Sequence, residues 1–196
     1  MQLIKLNIDS FDKEDIKTIT DVILNGGIVV LPTDTVPGLI ADASNSKAVE
    51  KIFAIKKRSP DMKLPVFVSD IDMARELAEI NEEQEKELMG KWPGRYTFVL
   101  KRKKHKKELF GLDNDTIALR IPSYPLLNEI LKSVDTPLVQ TSVNPSGSPF
   151  LVQHEEIIDY LEKNEIQPDL VIDVGVLAEA QPSTIIDLSN NKVIRK

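Results

Sequence analysis

Residues 27–32 read Gly-Ile-Val-Val-Leu-Pro, with four apolar side chains in succession and no polar residue between them. A strand points successive side chains to opposite faces, so an unbroken apolar run puts hydrophobic groups on both. Such a strand is stable only inside a sheet that is covered on both sides. This constrains the fold more than any other feature: buried strands must lie beneath helices.

The rest of the chain supplies both kinds of element. Strand patterns recur at residues 2–6, 39–43, 64–68, 96–103, 116–122, 137–142, 170–174, 183–188 and 192–195. A helix capped by Ser10 or Asp12 places Ile16, Ile19 and Ile23 on one face and ends at Gly26 and Gly27. Residues 46–57 repeat the helical period through Val49, Ile52, Phe53 and Lys56. Residues 72–89 read as one or two exposed helices, and 126–132 and 155–161 as short ones. Strands and helices interleave without strict alternation. The predicted fold class is α/β, α+β-like: an open, twisted, mixed sheet flanked by helices, in one domain spanning 1–196.

Composition narrows the chemistry. The 196 residues contain no cysteine and two histidines, His105 and His154. Disulfides, thiolate metal sites and cysteine nucleophiles are excluded, and a Ser-His-Asp triad has little material. The opening residues lack the apolar core of a signal peptide, and no run approaches the roughly 18 apolar residues of a membrane span. A cytoplasmic location without membrane contact is expected. The net charge of −6 argues against a dedicated nucleic-acid binder, yet residues 101–107 read KRKKHKK and hold six of the 25 Lys and Arg residues. That run is either a solvated strand end or a patch for weak RNA binding; no aromatic residue interleaves to stack on bases.

Neither a G-x-x-x-x-G-K-[ST] phosphate loop nor a G-x-G-x-x-G loop is present. Any phosphate must therefore be held by cationic side chains and turn amides. Several segments offer them. Residues 32–39, PTDTVPGL, set Thr33, Asp34 and Thr35 between two prolines after a buried strand, which suits a site or an ordinary turn. Lys56 and Arg58 close a helix, where the dipole favours cations and where an oxyanion clamp is equally placed. Thr116, Ala118 and Arg120 share a strand face, and Arg120 must find an anion, either a ligand or a structural carboxylate. Ser142 and Asn144 follow a strand and point the same way if its geometry continues. Ser183 and Arg195 are weaker signals near the end of the chain.

Taken in order, GGIVVLPTDTVPGL, KKRSPDMKLP, WPGRYT, IALRIP, TSVNPSG and PSTIIDL with a late Ile-Arg resemble the YrdC/TsaC family of threonylcarbamoyl-adenylate synthases. The match runs from about Ile16 to Arg195 and is to the single-domain form. The resemblance implies an open α/β fold with a deep concave substrate face. It implies a nucleotidyltransferase that joins L-threonine, bicarbonate and ATP into threonylcarbamoyl-AMP and releases pyrophosphate. The product would pass to downstream tRNA-modifying transferase proteins, which act on an adenosine beside the anticodon. By position, Lys56 and Arg58 would hold ATP phosphates and carry catalysis. Met62, Thr116, Ser142, Asn144 and Arg195 would complete the ATP site. Thr35, Arg120 and Ser183 would bind threonine. Mg²⁺ would accompany ATP without a protein cage.

The sequence also departs from the family pattern. Pro37 replaces a usual aromatic residue, Phe67 a histidine of some relatives that would touch threonine, and Arg95 a proline. Met62 and Phe150 stand where polar residues can contact ATP. A nucleotide-binding paralogue without threonine chemistry is thus a competing reading, beside an RNA-binding or ribosome-associated module.

Overall fold

The computed structural model describes residues 1–104, 108–175, 181–190 and 192–195. Part of the cationic run, residues 105–107, lies outside the described residues.

In chain order the elements are β1 (Gln2–Lys5), α1 (Lys13–Leu24), β2 (Val29–Leu31), β3 (Gly38–Asp42), α2 (Ser46–Lys56), β4 (Val66–Phe67), α3 (Ile71–Leu77), β5 (Ala78–Glu79) and α4 (Glu82–Met89). There follow β6 (Tyr96–Arg102), β7 (Thr116–Arg120), α5 (Pro125–Val134), β8 (Leu138–Ser142), α6 (His154–Glu162), β9 (Leu170–Asp173), β10 (Thr184–Asp187) and β11 (Lys192–Arg195). The strands form one mixed sheet in the order β1-β9-β2-β3-β8-β4-β7-β6-β10-β11, with β5 on β6. Among the described residues, no helix is long and apolar enough to cross a membrane.

Local chemistry fixes the helix ends. Asp12, not Ser10, caps α1; it accepts from Glu14 and Asp15 amides, while the Asp15 carboxylate accepts from the Asp12 amide. Asn45 caps α2 through the Ala48 amide, and Lys57 ends it in a left-handed conformation (φ 49°). The exposed 72–89 segment is two helices, because Asn81 starts a new capping box with Gln84. Leu77, Ala78 and Leu88 still tie the segment to the core. The apolar run at 64–68 yields only a two-residue strand, β4, between β7 and β8.

Alternation decides what each face carries. In β2, Val29 and Leu31 face one way with Ile40, Leu138, Leu170 and Phe67, against α1 and α5. Val30, Leu39, Val139 and Val171 face the other way, in the same cluster as residues of α2 and α6. The unbroken apolar run is thus covered on both sides, as its pattern requires. Beyond β4 the coverage changes. Phe98 and Leu119 pair across β6 and β7 and join the second cluster with residues of α3 and α4. The opposite face of β7 and β6, bearing Thr97, Val99, Ala118 and Arg120, lines a cavity instead.

Candidate active site

That bare face forms an open cavity of about 560 Å³. It is lined by the end of α2, the 58–65 loop, β6, β7, the end of β8 with its following turn, and the β10–β11 edge. The sequence-predicted residues Thr35, Lys56, Arg58, Met62, Thr116, Arg120, Ser142, Asn144, Ser183 and Arg195 all reach its wall.

Lys56 is buried at the end of α2. Its Nζ donates to Asn144 Oδ1 at 2.7 Å, to the Ser142 carbonyl at 2.7 Å and to Ser142 Oγ at 3.3 Å. Ser142 Oγ in turn donates to Asn144 Oδ1 at 2.6 Å, and Asn144 Nδ2 donates to the Ser148 carbonyl at 2.7 Å. Burial, followed by the neighbouring Arg58 charge, lowers the Lys56 pKa to about 8.

Arg58 follows the left-handed turn at Lys57 and is anchored by its own loop. Nε donates to the Met62 carbonyl at 3.0 Å and Nη2 to the Lys63 carbonyl at 2.7 Å. These bonds orient the planar guanidinium toward the cavity, and burial lowers its pKa. Met62 is half exposed at the rim. Thr116 is held by Asp113, whose carboxylate accepts from the Thr116 amide at 3.1 Å.

Arg120 occupies the boundary between the helix-covered face and the cavity. It is 1% exposed. Nη2 makes an ion pair with Asp34, Nη1 donates to Thr35 Oγ1 at 2.9 Å, and Nε donates to the Gly94 carbonyl at 2.9 Å. Its guanidinium lies over the Phe67 ring, 5.6 Å from the centroid. The anion that the sequence required for Arg120 is therefore present within the fold. Burial lowers the Arg120 pKa, and the Asp34 carboxylate works against that shift.

At the far wall Arg195 donates from Nε to the Ser183 carbonyl at 3.0 Å and from Nη2 to Ser183 Oγ at 3.2 Å. Ser183 Oγ also bonds Thr97 Oγ1 at 2.8 Å.

The departures sort by position. Phe150 stands on the cavity wall. Phe67 is fully buried beneath Arg120, and Pro37 lies in a separate small pocket beside Pro32 and His154. Arg95 sits on the loop behind the cavity.

Reading by sequence missed Asp34 as the Arg120 partner, Thr97 as a wall residue, and Lys63, Asp113 and Gln140 as lining. Gln140 was within reach, since it stands two residues before Ser142 on the same strand face. Thr97 stood in the WPGRYT motif and a strand pattern without being marked as a wall residue, and Asp113 carried no signal beyond local turn chemistry.

Among the described lining residues are five cations (Lys56, Arg58, Lys63, Arg120 and Arg195) and one carboxylate, Asp113; Arg120 is already paired with Asp34, which leaves four cations for a ligand. The arrangement is built to hold an anion with several charges. Three of the four cations described in the 101–107 run have partners within the chain. Lys101 pairs with Glu79 at 3.0 Å, Arg102 donates to the Asp113 carbonyl at 2.6 Å, and Lys103 donates to the Arg75 carbonyl at 2.8 Å.

A family model described as telomere recombination, covering Sua5, YciO and YrdC, matches residues 21–196. The chain belongs to the Sua5/YciO/YrdC family. Its fold is similar to that of E. coli YciO, with a TM-score of 0.87 and 28% identity over 100% of this chain and 95% of that one. It is likewise similar to P. abyssi Sua5 complexed with L-threonine, with a TM-score of 0.84 and 28% identity over 96% of this chain. The chain spans 55% of the length of that Sua5 chain. A P. abyssi Sua5 variant, H234A/Y235A, gives the same TM-score of 0.84 at 29% identity, over 95% of this chain and 57% of its own length. The Sua5/YciO/YrdC assignment agrees with the resemblance carried by the sequence motifs.

Proposed function

We propose that this chain is a threonylcarbamoyl-AMP synthase, a nucleotidyltransferase that converts L-threonine, bicarbonate and ATP to threonylcarbamoyl-AMP and pyrophosphate. The observation that carries the reading is one open cavity lined by five cations, of which Arg120 is already paired with Asp34, and by one carboxylate. A triphosphate matches that charge, and the threonine complex of P. abyssi Sua5 supports an amino-acid subsite in the same fold.

The chemistry needs no protein nucleophile. The threonine amine and bicarbonate condense to a carbamate with loss of water. A carbamate oxygen then attacks the α-phosphorus in line, the bond to the bridging oxygen breaks, and pyrophosphate leaves. Lys56 and Arg58 neutralise charge on the phosphate oxygens, and the wall fixes the reactants in line. Ser142, Asn144, Thr116 and Met62 border the nucleotide, and Arg195 approaches it from the sheet edge. Thr35, bonded to Arg120, and Ser183 on the far wall would bind threonine, as the family resemblance implies.

Among the described residues, no cluster of three or more His, Asp or Glu side chains could cage a metal. Mg²⁺ would accompany ATP as part of the substrate, held by phosphate oxygens. The product would feed tRNA modification through a downstream transferase acting beside the anticodon.

A nucleotide-binding paralogue is the second reading, favoured by the apolar Phe67 beneath Arg120. Pyrophosphate release, assayed with threonine and bicarbonate omitted in turn, separates the two. Release that needs both supports the synthase. ATP binding without such release supports the paralogue.

A further inference from the structure

The β10–β11 edge of the cavity is held in an unusual way. β11 has one neighbour, β10, and its four residues are exposed. Yet this strand supplies Arg195 to the cavity wall. Main-chain pairing alone leaves such an edge free to fray. The Arg195 side chain reaches back to Ser183, and Ser183 reaches Thr97 on the better buried strand β6.

The three groups form a chain of two hydrogen bonds, Thr97 Oγ1 to Ser183 Oγ at 2.8 Å and Arg195 Nη2 to Ser183 Oγ at 3.2 Å. Thr97 and Ser183 are both buried, at 1% and 5% exposure. Hydroxyl arithmetic limits their arrangement. Arginine only donates, so Ser183 Oγ spends one lone pair on Arg195. Of the two hydroxyls, only one can donate to the other. If Thr97 donates, Ser183 accepts twice and keeps its own proton for the cavity. If Ser183 donates, its proton is spent on Thr97.

We propose that Thr97 is a positioning residue: its hydroxyl donates to Ser183, turns the Ser183 proton toward an oxygen of the substrate and holds Arg195 in the wall. A Ser183 oxygen that accepts two bonds is polarised, which strengthens the bond that it donates. The ligand group that fits is an oxygen acceptor, carboxylate or hydroxyl, at the threonine end of the cavity. The identity of that ligand rests on the synthase reading; the hydrogen-bond chain does not.

The deciding variants are Thr97→Val, which keeps the shape and removes the hydroxyl, and Thr97→Ser, which restores it. Two readouts are needed. The first is hydrogen exchange of the Arg195 Nη2 protons, which donate to Ser183 Oγ, in the free protein, their NMR signals identified by their loss in Arg195→Lys. Thr97→Val should speed this exchange about five- to tenfold, the equivalent of one neutral hydrogen bond. The second is steady-state kinetics, where Thr97→Val should raise the threonine KM by a similar factor with kcat within about twofold. Thr97→Ser should return both to wild type. Ser183→Ala should cost at least as much as Thr97→Val, and adding Thr97→Val to Ser183→Ala should bring no further loss.

Unchanged exchange in Thr97→Val overturns the proposal, whatever the activity. So does a Thr97→Ser variant that behaves like Thr97→Val, because packing and not the hydroxyl would then be responsible. If Thr97→Val does not fold, Thr97→Ala takes its place, and additive effects of Thr97→Ala and Ser183→Ala overturn the proposal. A wild-type protein that releases no pyrophosphate defeats the synthase reading and leaves the exchange result to decide on Thr97.

Discussion

Lys56 Nζ stands 2.7 Å from Asn144 Oδ1, joining the end of α2 to the turn after β8 across 88 positions of sequence. Ser142 supplies two more oxygens to the same ammonium, at 2.7 and 3.3 Å. The three partners are neutral acceptors. The lysine is thereby fixed in place while its charge remains available to an incoming anion.

This arrangement sets a pH dependence. Lys56 loses its proton near pH 8 rather than at the ordinary 10.5. The kcat/KM for ATP, which reports the free enzyme, should fall as pH rises through about 8. Lys56→Arg should abolish that alkaline limb, because arginine stays charged, at some loss of fit. Folding responds with the opposite sign. Between about 8 and 10.5 the unfolded chain holds a proton that the native chain has shed, so the Lys56 contribution to stability rises with pH. A pH–rate profile paired with pH-dependent denaturation checks both.

Arg58→Ala should reduce pyrophosphate release about 100-fold, the scale expected for one preorganised donor on developing charge. Circular dichroism should be unchanged. Arg58→Lys should not rescue it, since a single ammonium cannot replace Nε and Nη2 on the Met62 and Lys63 carbonyls while also facing the cavity. Full activity in Arg58→Ala would remove it from the phosphate site.

Arg120→Ala should destabilise the fold by about 3–5 kcal/mol, as expected when one member of a buried ion pair is removed. It leaves Asp34 buried without its cation. Adding Asp34→Ala should recover part of that loss. Denaturant titration of the two single variants and the double variant measures the coupling. A threonine KM that rises in the folded fraction would add the ligand role to the structural one.

Gly111 has φ +72°, and a Cβ there would stand 2.9 Å from Val49 Cγ1 and 3.2 Å from Leu64 Cδ1. Gly111→Ala should cost about 1–3 kcal/mol through backbone strain and overpacking. The Gly111 carbonyl accepts from the Leu64 amide at 2.9 Å, so the shift should reach the loop that anchors Arg58. A lower melting temperature together with a raised KM for ATP is the expected result.

Much of this protein was legible in the sequence, for local reasons. The unbroken run at 28–31 required a strand covered on both faces, and the structure covers it on both. Asp12, the period of Ile16, Ile19 and Ile23, and Gly26 delimited α1, because capping and amphipathicity act within a few residues. Period 2 put Thr116, Ala118 and Arg120 on one face, and all three line the cavity. The motif order also led to the family.

The strand order, the bare face of β6 and β7, and the partners of each cation were decided only in three dimensions. Arg120 could have met a ligand or a carboxylate; the fold gave it Asp34, 86 positions away. Thr97 read as one residue of the 96–103 strand pattern, with no partner, until β10 paired with β6 and brought Ser183 against it. Periodicity tells which way a side chain points on its own strand. What stands opposite depends on contacts between residues distant in sequence, and those are fixed by burying the two core clusters together.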